Sequence, residues 1–105
     1  MLLSLLPLAD GRGMQEWPEF IVDHMKHTLK VITLNDNTLT EVPHNVDQLQ
    51  SLTRLEIRNN KLTHLPATLG MMGQLSVIDL RGNPINQQDP VVAALRGKMG
   101  LELLI

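Results

Sequence analysis

The sequence predicts an α/β solenoid, with a short parallel β-sheet on a concave face and irregular or helical arms on the convex face. The chain repeats itself every 23 residues, with repeats beginning at Leu29, Leu52 and Leu75. Apolar residues return at the same places in each repeat, and a unit this short can bury them only against its neighbours. About four repeats and a terminal strand account for the 105 residues.

Each repeat contributes one strand, because apolar residues alternate with polar ones over its first residues. Strands one period apart lie parallel, about 4.8 Å from one another. The predicted inward columns are Leu29/Leu52/Leu75, Ile32/Leu55/Ile78, Leu34/Ile57/Leu80, Leu39/Leu62/Ile85, Val42/Leu65 and Val46/Leu69.

An asparagine follows each strand, at Asn37, Asn60 and Asn83. A buried amide without partners is costly, so we expect these side chains to bond the backbone of the turn and of the next repeat. Pro43 and Pro66 then end the extended segment and begin the returning arm, a position that suits a fixed φ and a missing N–H.

The resulting motif, LxxLxLxxNxLxxLPxxLxxLxx, resembles the leucine-rich repeat family over residues 29–86. The 23-residue spacing and the LP step resemble its small intracellular, Ras-group type. The resemblance implies a fold and says little about function, since relatives bind proteins, peptides, lipids or RNA.

The N-terminal segment allows two interpretations. MLLSLLPLA resembles a signal-peptide core, but the positive residue Arg12 follows the apolar stretch instead of preceding it. We favour a degenerate first repeat over residues 1–28, in which Leu3, Leu6 and Leu8 occupy the apolar positions. Trp17 is then expected in the core or cap, and Ile21 and Met25 on a helical arm. Regular repeats follow over residues 29–51, 52–74 and 75–97, within a single domain of residues 1–105.

The C-terminal segment predicts a helix and then a strand. Asp89 is a good N-cap and Pro90 suits the first helical position. Leu101 and Leu103 lie 23 residues after Ile78 and Leu80, so residues 98–105 are expected to form a terminal strand or cap. Its apolar residues Leu101, Leu103, Leu104 and Ile105 would leave an open edge. This edge packs against a partner, or continues into a longer protein, or is covered by the helix.

Composition narrows the classes of function. The net charge is −2, and the chain has no Tyr, one Phe and one Trp, which gives no direct nucleic-acid signature. It has no apolar run long enough to span a membrane. The absence of Cys favours an intracellular, cytoplasmic location.

Candidate binding residues lie between the inward columns and face outward from the sheet. The expected columns are Val31/Arg54/Val77, Thr33/Glu56/Asp79/Glu102 and Asn35/Arg58/Arg81/Leu104. The charges either neutralise one another as a solvated network or form a patch that matches a partner. The predicted partner-binding residues are Thr33, Asn35, Arg54, Glu56, Arg58, Asp79 and Arg81.

The predicted face is small, at roughly 200–300 Å² for strands about 4.8 Å apart. A stable interface needs about 800 Å² per partner, so rim loops or the ends of the solenoid must contribute. We expect a non-catalytic protein-interaction module or adaptor that binds a protein partner through the concave face and rim. The alternative is a structural subunit docked in a multiprotein or ribonucleoprotein complex through apolar ends, residues 3–8 or 101–105.

An enzyme is the least favoured class. No serine lies in a GxSxG context, and no glycines form a phosphate-binding loop. His24 and His27 are three residues apart on the predicted arm, but two ligands do not make a zinc site. We therefore expect neither a metal nor a cofactor.

Overall fold

The computed structural model describes residues 11, 13, 15–17 and 20–105. In chain order its elements are helix α1 (Phe20–Met25), strand β1 (Val31–Thr33), a first 3-10 helix (His44–Gln48), strand β2 (Arg54–Glu56), a second 3-10 helix (Ala67–Met71), strand β3 (Val77–Asp79), helix α2 (Pro90–Arg96) and strand β4 (Glu102–Leu104). Each of the strands β1, β2 and β3 is followed by a helical arm, which confirms the predicted solenoid. The strand expected over residues 3–8 lies outside the described residues.

The four strands form one parallel sheet in the order β1-β2-β3-β4. Ile32 pairs with Leu55 and Leu55 with Ile78, as the 23-residue period predicts. The next pair is different, because Ile78 lies opposite Leu103 and not opposite Leu101. The predicted register of the last strand was therefore wrong by two residues. The reason is that helix α2 and its loop make the last arm two residues longer than the preceding arms.

The inward columns form one continuous core. Ile32, Leu55 and Ile78 are fully buried, and so are the leucines that begin the first two regular repeats. Trp17, Ile21 and Met25 extend this core at the N-terminal side, as expected for a core or cap tryptophan and a helical arm. Among the described residues, no helix is both long and apolar enough to cross a membrane.

The asparagine ladder, by which we mean Asn37, Asn60 and Asn83, satisfies the backbone of the turns. The Asn60 Oδ1 accepts from the Leu39 N–H at 3.0 Å, and its Nδ2 donates to the Leu34 carbonyl at 2.9 Å. Asn83 makes the equivalent bonds one repeat later. These partners lie in the preceding repeat and not in the next one as predicted. Asn60 and Asn83 also donate within their own turns, to the carbonyls of Arg58 and Leu80, as expected.

The rim of each turn requires a left-handed backbone. Asp36 and Asn59 have φ of 60° and 57°, and Gly82 at the equivalent position has φ of 81°. Aspartate, asparagine and glycine are the residues that best tolerate this region. The Asn59 Nδ2 also donates to the Asp36 carboxylate at 2.8 Å, which links two successive rims.

Helix α2 serves as the convex arm of the last repeat. The Asp89 carboxylate accepts from the Val91 N–H at 2.9 Å, which confirms the predicted N-cap. Val92 and Leu95 are buried against the core. On the outer strand β4, Leu103 is half-buried and packs against the same core.

Candidate functional site

The charged residues predicted on the concave face lie together at strands β2 and β3 and just after them. We call Arg54, Glu56, Arg58, Asp79 and Arg81 the concave cluster. Side chains two residues apart on a strand share a face, and parallel pairing brings Glu56 next to Asp79. The solenoid therefore gathers five ionisable groups from two repeats onto one surface.

Short ion pairs connect the members of the concave cluster. The Arg54 Nε lies 2.6 Å from Glu56, and the Arg81 Nη2 lies 2.7 Å from Asp79. Arg81 also donates from its Nε to the other oxygen of Asp79 at 2.9 Å, so this pair is bidentate. Arg58 bridges the two carboxylates more loosely, at 3.5 Å from Glu56 and 3.7 Å from Asp79.

The cluster has two layers, with carboxylates beneath guanidinium groups. The side chains of Asp79 and Glu56 are only 3% and 14% exposed, whereas those of Arg54, Arg58 and Arg81 are 45%, 40% and 54% exposed. The sequence left open whether these charges neutralise one another as a solvated network. The ion pairs form and the arginines are solvated, but Asp79 is buried beneath them. The cause is side-chain length, because an arginine extends well beyond the carboxylate that it contacts.

The guanidinium groups stabilise the charged form of both carboxylates. Hydrogen bonding from Arg81 holds the pKa of Asp79 below its ordinary value, although burial opposes this shift. Hydrogen bonding from Arg54, with a further bond from Asn35, lowers the pKa of Glu56 against the same opposing effect of burial. Both carboxylates are therefore ionised at neutral pH, and the arginines are held over them.

Asn35 supports the cluster from below. Its side chain is buried, its Oδ1 accepts from the Arg58 N–H at 2.7 Å, and its Nδ2 donates to Glu56 at 3.3 Å. Thr33 is half-buried on β1, and its hydroxyl has no hydrogen-bond partner among the described residues. These two predicted site residues are thus beside the cluster, with Asn35 placed to orient it and little exposed itself.

The register of β4 changes the ends of the predicted columns. Glu102 pairs with Val77, and Leu104 pairs with Asp79. The assignments of Glu102 to the column of Thr33 and of Leu104 to the column of Asn35 were therefore wrong. The outward columns are Val31/Arg54/Val77/Glu102 and Thr33/Glu56/Asp79/Leu104, so the exposed Glu102 borders the cluster and the half-buried Leu104 lies beside Asp79.

A second concavity lies away from the strands, between the N-terminal segment and the loops around Pro43 and Pro66. This open groove of about 800 Å³ is lined by Trp17, Asp23, Glu41, His44 and His64 among others. Sequence reasoning did not find it, because its walls come from three repeats and share no motif. Within the described part of the chain, no three His, Cys, Asp or Glu side chains are placed to hold a metal ion. The side chains of His24 and His27 are both exposed, and His27 contacts Gln50.

Comparison with known proteins identifies the repeat. A family profile described as leucine rich repeat matches residues 27–85, more than half of the chain. A solved leucine-rich repeat protein of Leptospira interrogans aligns with a TM-score of 0.74 and 28% sequence identity over 87% of this chain. The alignment covers 22% of that protein, so this chain spans about a fifth of its length. A search of curated protein sequences found no match.

Proposed function

Because the chain belongs to the leucine-rich repeat family, we propose that it is a non-catalytic interaction module that binds a protein partner through the concave face and rim. Members of this family typically mediate protein–protein interactions and are generally not enzymes. The observation that carries the proposal is the concave cluster, whose arginines are oriented by buried acceptors and remain available to a partner. Preorganised side chains lose less entropy when a partner binds.

The size of the face favours a short segment of the partner over a globular surface. The described sheet has four strands of three residues each. At about 4.8 Å per strand, such a face buries well under the ~800 Å² that a stable globular interface needs from each partner. An extended segment can instead follow the columns across the strands and contact the rim.

The proposal is tested by capture of partners from a cell lysate with the immobilised chain. We expect that Arg58→Glu with Arg81→Glu abolishes capture of the proteins that the natural sequence retains. Lys61→Glu with Arg96→Glu is the matched control, since both residues are exposed, lie outside the cluster and give the same change of charge. Capture that survives the concave variant, or is lost equally in the control, would contradict the proposal.

A second version of the variant separates binding from folding. Glutamate at residue 58 would face Glu56 and Asp79, and like charges on neighbouring strands are destabilising. Arg58→Gln with Arg81→Gln avoids this repulsion. We expect both versions to keep the circular dichroism spectrum of the natural chain while they lose the partner.

A structural subunit of a larger assembly is the alternative, and the outer strand favours it. Leu101, Leu103, Leu104 and Ile105 are half-buried at β4, which pairs on one side with β3. An unpaired edge with apolar side chains is a template for association. Light scattering over a concentration series distinguishes the two functions: a mass near 11.8 kDa throughout supports the free module, and oligomers support the subunit.

Two further assignments belong to the same proposal. The first is that residues 1–28 form a degenerate first repeat, supported by the Gly11 N–H, which donates to the Asn35 carbonyl at 2.9 Å as Asp36 donates to Arg58 one repeat later. Gly11 also has a φ of 66°, close to that of Asp36. The second is an intracellular, cytoplasmic location, supported by the absence of Cys. Imaging of the tagged natural chain tests it, and secretion would contradict it.

A further inference from the structure

The exposed groups of the concave cluster carry more positive charge than the cluster as a whole. Three guanidinium groups and two carboxylates sum to +1, yet the two carboxylates lie beneath the arginines and the guanidinium groups are about half exposed. A molecule that approaches this surface therefore meets cationic hydrogen-bond donors before any acceptor. The surface is basic although the chain as a whole carries a net charge of −2.

Arg58 is the member with the most unused binding capacity. Arg54 and Arg81 each make contacts below 3.0 Å to a carboxylate. The side chain of Arg58, between them, has only the two contacts at 3.5 Å and 3.7 Å among the described residues. A guanidinium has five N–H donors, so Arg58 retains donors for a ligand while its backbone is fixed by Asn35.

We propose that the concave cluster recognises an acidic peptide segment of its protein partner, with Arg58 and Arg81 binding its carboxylates. This inference rests on the proposed function and names the chemistry of the partner at the same site. Arginine presents paired donors that match a carboxylate, and such charge-assisted bonds are stronger than neutral ones. Val77 and Leu104 are half-buried beside the cluster and give apolar contact next to the charged positions.

The surroundings of the cluster favour an acidic peptide over a nucleic acid. The outward columns of the described strands contain no aromatic side chain on which a base could stack. The chain has no excess of positive charge to neutralise a run of phosphates. Glu102 is exposed on β4 beside Val77, so the basic surface ends there and is confined to the side of β2 and β3.

The test is a titration of the ¹⁵N-labelled chain, with three short peptides as probes. One peptide alternates Glu with Ser, the second Gln with Ser and the third Lys with Ser. We expect the Glu peptide to shift the side-chain Nε–H resonances of Arg58 and Arg81, and the other two to leave them unchanged. The affinity for the Glu peptide should fall as salt is added, since exposed charges are screened.

Two variants move the affinity in opposite directions. Arg58→Gln should weaken binding of the Glu peptide by about tenfold, since a charge-assisted bond is lost. Glu102→Gln should strengthen it by about twofold to threefold, because a repelling charge at the border is removed. Lys61→Gln, at an exposed residue outside the cluster, is the control and should leave the affinity unchanged.

The outcomes separate this inference from the proposed function. Shifts of the same arginines by the Gln or Lys peptide would overturn the acidic specificity and leave the concave face as a binding site. No shift with the Glu peptide, or stronger binding of single-stranded DNA than of that peptide at equal charge, would also overturn the inference. A different observation would contradict the proposed function itself. In that case, capture of the partner would be unchanged by the substitutions on the concave face.

Discussion

Two sets of polar side chains follow the strands of this sheet, and they obey the repeat to different degrees. The asparagine ladder has the same residue at every turn, and Asn60 and Asn83 make equivalent bonds to the backbone of the preceding repeat. The concave cluster occupies equally periodic positions with residues that change from repeat to repeat. Asn35, Arg58 and Arg81 share one column, but Asn35 is buried whereas the two arginines are partly exposed and form ion pairs with Asp79.

The difference follows from what each set contacts. The ladder bonds backbone groups, which are the same in every repeat, so one residue type fits all three turns. The cluster bonds other side chains, so each position depends on its neighbours. The asparagine ladder, which is the same in each repeat, therefore stabilises the fold. The concave cluster, which differs between repeats, provides the binding specificity that we propose.

The largest expected effect comes from removing one member of the ladder. Asn60→Ala leaves the Leu39 N–H buried without its acceptor and removes one of the two amide donors to the Leu34 carbonyl, which keeps Asn37. We therefore expect a loss of about 1–3 kcal/mol of unfolding free energy. Urea denaturation measures it, with Asn45→Ala at an exposed residue of the first 3-10 helix as the control. A loss below about 0.5 kcal/mol would show that the ladder is dispensable.

A rim substitution tests whether the turn geometry matters as much as the ladder. Gly82→Ala places a Cβ at a φ of 81° and in collision with the Asn59 side chain. We expect a loss of about 1–2 kcal/mol, the cost of left-handed backbone for an L-residue. Gly73→Ala is the matched control, because nothing lies within 4 Å of the added Cβ. Equal stability of the two variants would mean that the turn relaxes freely.

Acid should weaken the cluster while it leaves the ladder intact. The pKa values of Glu56 and Asp79 are held below their ordinary values of 4.5 and 3.8, by hydrogen bonds from Arg54 and Arg81 respectively. The folded chain therefore binds fewer protons than the unfolded chain in this range. The stabilisation is complete above the ordinary pKa values and is lost as pH falls through the lowered ones.

Unfolding midpoints in urea between about pH 6 and about pH 3 measure this loss. We expect the midpoint to fall below pH 4.5 in the natural chain and to fall less steeply in the variant with Glu56→Gln and Asp79→Asn. The asparagine amides do not titrate, so the ladder gives no acid dependence. Identical pH profiles of the two chains would contradict a stabilising role for the cluster.

The smallest effect is expected at the most peripheral ion pair. Arg54 contacts Glu56 at 2.6 Å, but its side chain is 45% exposed and the pair is screened by solvent. Arg54→Gln should lower the thermal midpoint only slightly, and by less than Gly82→Ala does, because solvent screens the contact with Glu56. A fall as large as that caused by Gly82→Ala would mean that the exposed arginines stabilise the fold as strongly as the turns do, which would weaken the division between the two sets.

Much of the architecture could be predicted because it is periodic. Ile32, Leu55 and Ile78 are buried as their column required, and the turns carry the expected asparagines. The prediction was wrong at β4, where a constant period placed Leu101 opposite Ile78. A seven-residue α-helix in the last arm changes the path length between strands, and no repeat within the sequence reveals by how much. The slip of two residues preserves the side-chain faces, so Leu103 still points inward.

The sequence was enough to predict which residues form the candidate site, but not how deeply each of them is buried. Two-residue spacing along β2 and β3 was enough to place Arg54, Glu56, Arg58, Asp79 and Arg81 on one face. It gave no indication that the Asp79 side chain is buried or that Asn35 lies beneath Arg58 and Glu56. The open groove lined by Trp17 and Glu41 was not foreseen at all, because its residues are distant in the chain.

The sequence by itself determined the repeat, the inward columns and the residues available to the concave face, because side-chain alternation and a fixed period are local properties of the chain. Only the tertiary structure decided which charges reach the surface. Layering depends on how far each side chain extends from the sheet and on which neighbour covers it. Asp79 lies beneath Arg81 and Arg58, so a cluster of mixed composition presents a basic surface.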